Sequence, residues 1–322
     1  MTERYNYNEG KRQRIVYMGT PEISATVLRT LITAGHNITA VITGEDKVRS
    51  RGNVLTPTPT KAMAIKYGIP TYEPKTLRDG AFMELLSELA PDLIVVVAYG
   101  KILPPEVLSY PEYGCINMHV SLLPKYRGAA PMQRAIIDGE KKTGVTVMYM
   151  AEGLDTGDII STAEFPIYPD DDFEAIHDRS ADIGGDLLAD TIYNIFIGAV
   201  EPKPQNDAEA SYAKKIEKSE CHIDFSRPAT ELDCLIRGVT PIPGAFAYLN
   251  GKMLKIARAV PTDECGEAGT VIKTDSGKDG SFTVACGTGA LRVLSVIPEG
   301  KGKMGAADFV RGRKIFVGDK LL

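Results

Sequence analysis

Along the first half of the chain, short apolar runs alternate with stretches whose apolar residues recur every third or fourth position. Residues 14–18 read RIVYM, a strand that Gly19-Thr20-Pro21 breaks before Ile23, Val27, Leu28 and Leu31 fall on one helical face. Residues 37–43 form a second strand, and a third lies near 70–72. Over 81–89, Phe82, Leu85, Leu86 and Leu89 sit at i, i+3, i+4 and i+7, the spacing of an amphipathic helix. The run DLIVVVA at 92–98 is continuous and β-branched, as in a strand covered on both faces. Strand and helix in alternation imply a parallel sheet with right-handed crossovers, hence an α/β fold. Ligands of such sheets sit at the carboxyl ends of the strands, here Met18-Gly19-Thr20, Ala98-Tyr99-Gly100 and residues 117–121.

The alternation then changes. Residues 143–150 and 158–167 are both strand-like, a hairpin-like pair with a turn around Asp155. A long helix follows over 173–197, with Ile183, Leu187, Leu188, Ile192 and Ile195 on one face, and His177 on it reads as a surface or packing residue. GAVEPKPQND at 198–207 is polar and Pro-rich, as linkers are. Beyond it come short strands at 245–249, 252–257, 270–273, 281–285 and 291–296, with hairpin-type turns at Asn250-Gly251 and Asp279-Gly280, and helices at 230–237 and 305–311. That is the outline of a small β-barrel. The expected organisation is an N-terminal extension (1–13), an α/β domain (14–200), a linker (201–212) and a barrel domain (213–322).

Composition narrows the class. A chain of 322 residues with 43% hydrophobic and 25% charged residues fits two globular domains. No apolar run approaches the roughly 20 residues that span a bilayer, and the first residues lack the apolar core of a secretory signal. Cys115, Cys221, Cys234, Cys265 and Cys286 are scattered without a CxxC, so neither a disulfide framework nor a metal site is expected and a reducing cytoplasm is the natural setting. There is no GxGxxG and no GxxxxGK[ST], which leaves a dinucleotide reading resting on topology alone and argues against a P-loop. Residues 208–322 hold 17 Lys and Arg against 14 Asp and Glu, a net of +3 beside −8 for the rest, so the barrel is the more basic part. Small barrels often bind oligonucleotides, though an ordinary solvated surface gives the same balance.

Candidate chemistry concentrates in GCINMHVSLLPKYRGAAP at 114–131. If 114–119 is extended, Asn117 and His119 share a face. An amide and an imidazolium are both donors, able to hold an oxygen that becomes negative when a carbonyl is attacked, and histidine also moves protons near neutrality. Asp155, between glycines in AEGLDTGDII, is the best third member. The plainer alternative is a satisfied structural histidine and a turn-capping carboxylate. Leu122, Leu123 and Pro124 form an apolar wall, and Pro131 suits the first turn of a helix. The polar loop at 44–59 carries Lys47, Arg49 and Arg51, either an arm for a phosphate backbone or a solvated connection.

These motifs carry a resemblance. RIVYMGTPEISA (14–25), PDLIVVVAYGKILP (91–104), GCINMHVSLLPKYRGAAPMQRAI (114–136) and GVTVMYMAEGLDTGDI (144–159) resemble the methionyl-tRNA formyltransferases over nearly the whole chain. The Asn-x-His, SLLP and GLDTGD set marks folate-dependent formyltransferases broadly; GAAPMQRAI, the basic loop and the second domain point to the tRNA-directed branch. The resemblance implies a Rossmann-like, parallel-dominated formyl-transfer domain and a C-terminal OB-like barrel that helps hold tRNA. It implies 10-formyltetrahydrofolate as cosubstrate, methionyl initiator tRNA as acceptor, Asn117, His119 and Asp155 as the catalytic set, and Ser121, Leu122, Leu123 and Pro124 as the segment against the folate. Lys47, Arg49 and Arg51 would contact tRNA, with Lys47 standing where the family often has arginine, which keeps the charge and loses the planar fork. No metal, no membrane association and a monomeric, cytoplasmic enzyme complete the expectation. Two other readings stand beside it: a folate-dependent formyltransferase for a nucleotide-linked amino sugar, which would share Asn117, His119 and Asp155, and a non-catalytic tRNA-binding protein, which would explain the basic module and leave that set without a purpose.

Overall fold

The computed structural model describes residues 13–48 and 55–322. They form two compact units, the first holding the residues through Gly128 together with Thr143–Phe165 and His177–Tyr212, the second Ala129–Lys142, Pro166–Ile176 and Ala213–Leu322.

In chain order the elements begin β1 (Ile15–Gly19), α1 (Glu22–Thr33), β2 (Ile38–Ile42), β3 (Lys47–Val48), β4 (Leu55–Thr56), α2 (Pro59–Lys66), β5 (Thr71–Tyr72), α3 (Gly80–Leu89), β6 (Leu93–Val97) and α4 (Pro105–Leu108). They continue as β7 (Cys115–His119), β8 (Arg127–Gly128), α5 (Pro131–Ile137), β9 (Lys142–Tyr149), β10 (Ile159–Pro166) and α6 (Phe173–Phe196). The main sheet has seven strands in the order β10-β9-β7-β6-β1-β2-β5. Its β1, β2, β5, β6 and β7 run parallel, and β9 lies antiparallel to β7. Every residue of β1 and of β6 is buried, which is why these strands read as unbroken apolar runs.

On one face Val16, Met18, Ile94, Val96 and Cys115 pack with Phe82 and Leu86 of α3 and Val107 of α4. The Asp79 carboxylate caps α3 by accepting from Phe82 N–H at 3.0 Å. On the other face a Cβ on Gly184 of α6 would lie 2.8 Å from Met118 Sδ, so the glycine lets the helix press against β7. Gly19 is equally constrained: an added Cβ would stand 1.8 Å from Ser24 Oγ and 2.7 Å from the Val97 carbonyl.

The segment read as one polar loop at 44–59 contains more order than its composition suggested. β3 and β4 pair antiparallel, Lys47 opposite Thr56, and Thr58 caps α2 by accepting from Lys61 N–H at 3.1 Å. At the base, Lys61 Nζ bridges Asp46 at 2.7 Å and Glu73 at 2.5 Å, and the two carboxylates hold the ammonium protonated above its ordinary range. Lys47 lies on β3, whereas Arg49 and Arg51 fall outside the described residues.

β11 (Tyr212–Ala213) falls at the boundary, and the second unit then holds α7 (Ala229–Val239), β12 (Phe246–Leu249), β13 (Lys252–Thr262), β14 (Val271–Thr274), β15 (Phe282–Ala285), β16 (Ala290–Pro298), β17 (Met304–Gly305) and α8 (Ala306–Arg311). The strands form an antiparallel half-barrel in the order β12-β13-β16-β15-β14, with β17 on β16. The chain end spans its edges, Leu321 bridging to Leu249 and Lys320 to Thr270. Leu232 and Ile236 of α7 fill the core with Ile256, Phe282, Leu291 and Val293. Leu249 pairs with Lys252 across Asn250 (φ 50°) and Gly251 (φ 76°), the two-residue turn the Asn-Gly pair announces.

The Asp279-Gly280 turn is a correction. Thr274 pairs with Phe282, so the connection is the wider loop 275–281, closed by Asp275 N–H to Ser281 O at 2.7 Å and by Gly277 N–H to the Asp275 carboxylate at 2.8 Å. Among the described residues no helix is long and apolar enough to cross a membrane.

Candidate active site

The apolar face of the main sheet ends at the carboxyl end of β7. Cys115 still belongs to the core; two positions on, Asn117 is half-buried, and His119 follows on the same face, buried at 6% exposure. The side-chain amide of Asn117 makes no hydrogen bond among the described residues, so both its donors and its carbonyl are free for a ligand.

Both ring nitrogens of His119 have neighbours. Nε2 lies 2.9 Å from the Tyr126 carbonyl, and Nδ1 lies 3.7 Å from Asp155 Oδ2. A carbonyl only accepts, so Nε2 carries a proton and the neutral ring presents its lone pair at Nδ1. A proton arriving there faces a carboxylate.

Asp155 reaches this position because the loop after β9 doubles back. β9 runs antiparallel to β7 and ends level with Ile116, where Tyr149 N–H also meets Asp158 O at 2.9 Å. From there the chain folds along the sheet towards His119, with Asp155 itself left-handed at φ 52°, a conformation aspartate tolerates better than most residues. Its Oδ2 accepts Gly128 N–H at 2.8 Å. Gln205 Nε2 donates to the Asp155 carbonyl at 2.8 Å and the Gly157 carbonyl at 2.7 Å.

The segment after β7 is fixed by Thr146 of β9, whose hydroxyl donates to Ser121 O at 2.7 Å and accepts from Leu123 N–H at 3.1 Å. Ser121 is fully buried and its hydroxyl donates to Lys125 O at 2.7 Å, so its side chain is spent on the turn. Leu122 occupies space that Gly144 leaves open, Leu123 is buried, and Pro124 is half-exposed. At the neighbouring strand end, burial pushes the Tyr99 phenol up to about 12, and its hydroxyl has no hydrogen-bond partner among the described residues.

The structure therefore brings Asn117, His119 and Asp155 to one strand end. Sequence reasoning missed Thr146, Tyr126, Arg127 and Gln205. Arg127 is the most telling, a guanidinium only 2% exposed that donates to Gln205 Oε1 through Nε at 3.1 Å and Nη2 at 2.8 Å, and to Asp207 at 2.8 Å. Its one sequence signal was a cation among turn-forming residues.

Comparison with known proteins finds family matches over most of the chain. The family described as Formyl transferase matches residues 13–192, and Formyl transferase, C-terminal domain, matches 215–314. The methionyl-tRNA formyltransferase of Caldanaerobacter subterraneus subsp. tengcongensis is 45% identical over 305 residues, 94% of this chain and 97% of that protein. Among solved structures, HypX from Aquifex aeolicus in complex with tetrahydrofolic acid superposes with a TM-score of 0.65 at 19% identity, over 93% of this chain and 47% of that one. WlaRD, a sugar 3N-formyl transferase crystallised with dTDP and 5-N-formyl-THF, gives 0.64 at 19% identity over 91% and 100%. At those identities the structural likeness speaks to the fold alone.

Proposed function

The chain belongs to the formyl transferase family, and from that premise we propose that it moves a formyl group from 10-formyltetrahydrofolate to the α-amine of methionine carried by initiator tRNA. The observation that carries the chemistry is the uncommitted Asn117 amide on the strand face of His119, with Asp155 turned back towards the ring at 3.7 Å. The acceptor follows from the end-to-end similarity to methionyl-tRNA formyltransferase, 45% over 94% of the chain.

Asn117 Nδ2–H donates to the formyl oxygen and strengthens that bond as charge builds up during attack by the amine. Neutral His119 accepts the amine proton at Nδ1, since Nε2–H is held by Tyr126. The imidazolium so formed is stabilised by Asp155 and offers Nδ1–H as a second donor to the same oxygen. Returning that proton to the departing nitrogen of the folate completes the transfer.

The folate is a cosubstrate. Leu122, Leu123 and Pro124 supply its apolar wall, while Ser121 shapes the turn through the hydroxyl it donates to Lys125 O. We assign 14–200 to formyl transfer, 201–212 to the connection, and 213–322, with Lys47, Arg49 and Arg51, to holding the tRNA backbone.

The test is acceptor competition. Labelled formyl donor is given with methionyl initiator tRNA, methionyl elongator tRNA and a nucleotide-linked amino sugar together. Label on the initiator tRNA is expected. Label on the sugar alone would move the acceptor to the sugar branch, and binding of tRNA without turnover would leave a binding protein.

A further inference from the structure

Residues 203–211, KPQNDAEAS, read in sequence as part of a linker. In the fold they are tied to the site at several points. Lys203 bridges to Ile159 at the start of β10. Gln205 spans the space between Arg127, which donates twice to its Oε1, and the Asp155 loop, to which its Nε2 donates twice. Asp207 closes on Arg127 at 2.8 Å. Ser211 Oγ accepts Tyr126 N–H at 2.9 Å and its carbonyl accepts Arg127 N–H at 2.8 Å.

These contacts converge on one ring. Tyr126 supplies the carbonyl that holds His119 Nε2, and Asp155 supplies the carboxylate that faces Nδ1. One segment thus fixes the backbone on both sides of the imidazole. We propose that 203–211 is a positioning strap for His119 and Asp155, with Gln205 and Arg127 as its positioning residues; this rests on the formyl-transfer reading above.

The chemistry at position 205 is specific. Two carbonyls on one side require donors, and a guanidinium on the other requires an acceptor. Only a carboxamide of this length offers both ends at once, and the guanidinium decides which end faces which way. A carboxylate would keep the Arg127 contact and lose the loop. Asp155 is left-handed; Gln205 Nε2 holds its carbonyl and Gly128 N–H holds its carboxylate, so the strap and the turn together set where the carboxylate stands.

The test separates positioning from folding. Gln205→Glu keeps the acceptor for the buried Arg127, so the variant folds, with its melting temperature lowered by no more than the loss of the two hydrogen bonds from Gln205 Nε2. Its kcat falls by about 10- to 100-fold, the scale of an ångström-sized misplacement of a catalytic group, while KM for folate and for tRNA stays within about twofold. Placed on Asp155→Asn, the same change lowers kcat by less than about threefold, because the group it positions is already disabled. Full kcat in Gln205→Glu, or an equal loss in both backgrounds, would overturn the proposal. Should Gln205→Glu fail to fold, Ser211→Ala loosens the Tyr126 side; reduced kcat at unchanged KM supports the strap and full kcat overturns it. Absence of formyl transfer by the unaltered protein would instead sink the parent reading, which the wild-type control reads separately.

Discussion

Nδ1 of His119 stands 3.7 Å from Oδ2 of Asp155, and that oxygen already accepts the Gly128 N–H at 2.8 Å. The spacing is too long for a hydrogen bond to the neutral ring and short enough for attraction to a charged one. Asp155 is therefore arranged for the imidazolium rather than for the resting imidazole. The tautomer is set from the other side, by the Tyr126 carbonyl at Nε2.

Asp155→Asn tests that division of roles. Asparagine accepts the Gly128 N–H and tolerates the left-handed backbone, so the variant folds with an unchanged melting temperature. Formyl transfer falls by about 10²-fold or more, the scale of a lost acid–base partner. A calorimetric scan beside a transfer assay checks both halves.

Asn117→Ala removes a half-buried amide that no described residue needs. Stability changes by less than about 0.5 kcal/mol, as for a group without partners, and kcat falls by about 10²–10³-fold, the loss that follows removal of one oxyanion donor. The pairing of unaltered unfolding with near-abolished turnover is what a denaturant titration and a rate measurement should find.

The meeting of Asn117, His119 and Asp155 at one strand end was legible because its signals are local. Period-two alternation puts Asn117 and His119 on one face, and a glycine-flanked turn leaves Asp155 free to reach back. The strands and long helices were legible for the same reason. Arg127, Gln205 and Ser211 were not, since their roles come from contacts 48 to 85 positions apart that no spacing encodes. Ser121 has a turn role that its place in the motif did not announce: it is buried and its hydroxyl donates to Lys125 O. The 275–281 loop was misread because Asp275, not the Asp-Gly pair, closes it.

The thiols should differ sharply. Burial pushes Cys115 up to about 12 and Cys286 up to about 11, so neither forms thiolate near neutrality, whereas Cys265 is exposed. Alkylation of the folded protein at pH 8, read by peptide mass mapping, is expected at Cys265 first, with Cys115 and Cys286 labelled only after unfolding.

Gly19→Ala should damage the fold directly. The new methyl meets the buried Ser24 Oγ at 1.8 Å and the Val97 carbonyl at 2.7 Å, between α1 and the paired ends of β1 and β6. Overpacking of this kind costs about 1–3 kcal/mol, and a thermal melt should fall accordingly.

If Asn117, His119 and Asp155 carry formyl transfer to initiator tRNA, removing the imidazole must stop it. The most direct measurement is a single-turnover transfer of labelled formyl from 10-formyltetrahydrofolate to methionyl initiator tRNA, comparing the parent with His119→Ala of matched secondary structure. Rapid transfer by the parent and its loss in the variant is the expected result. Transfer at an undiminished rate by folded His119→Ala, or none by the parent, would contradict it.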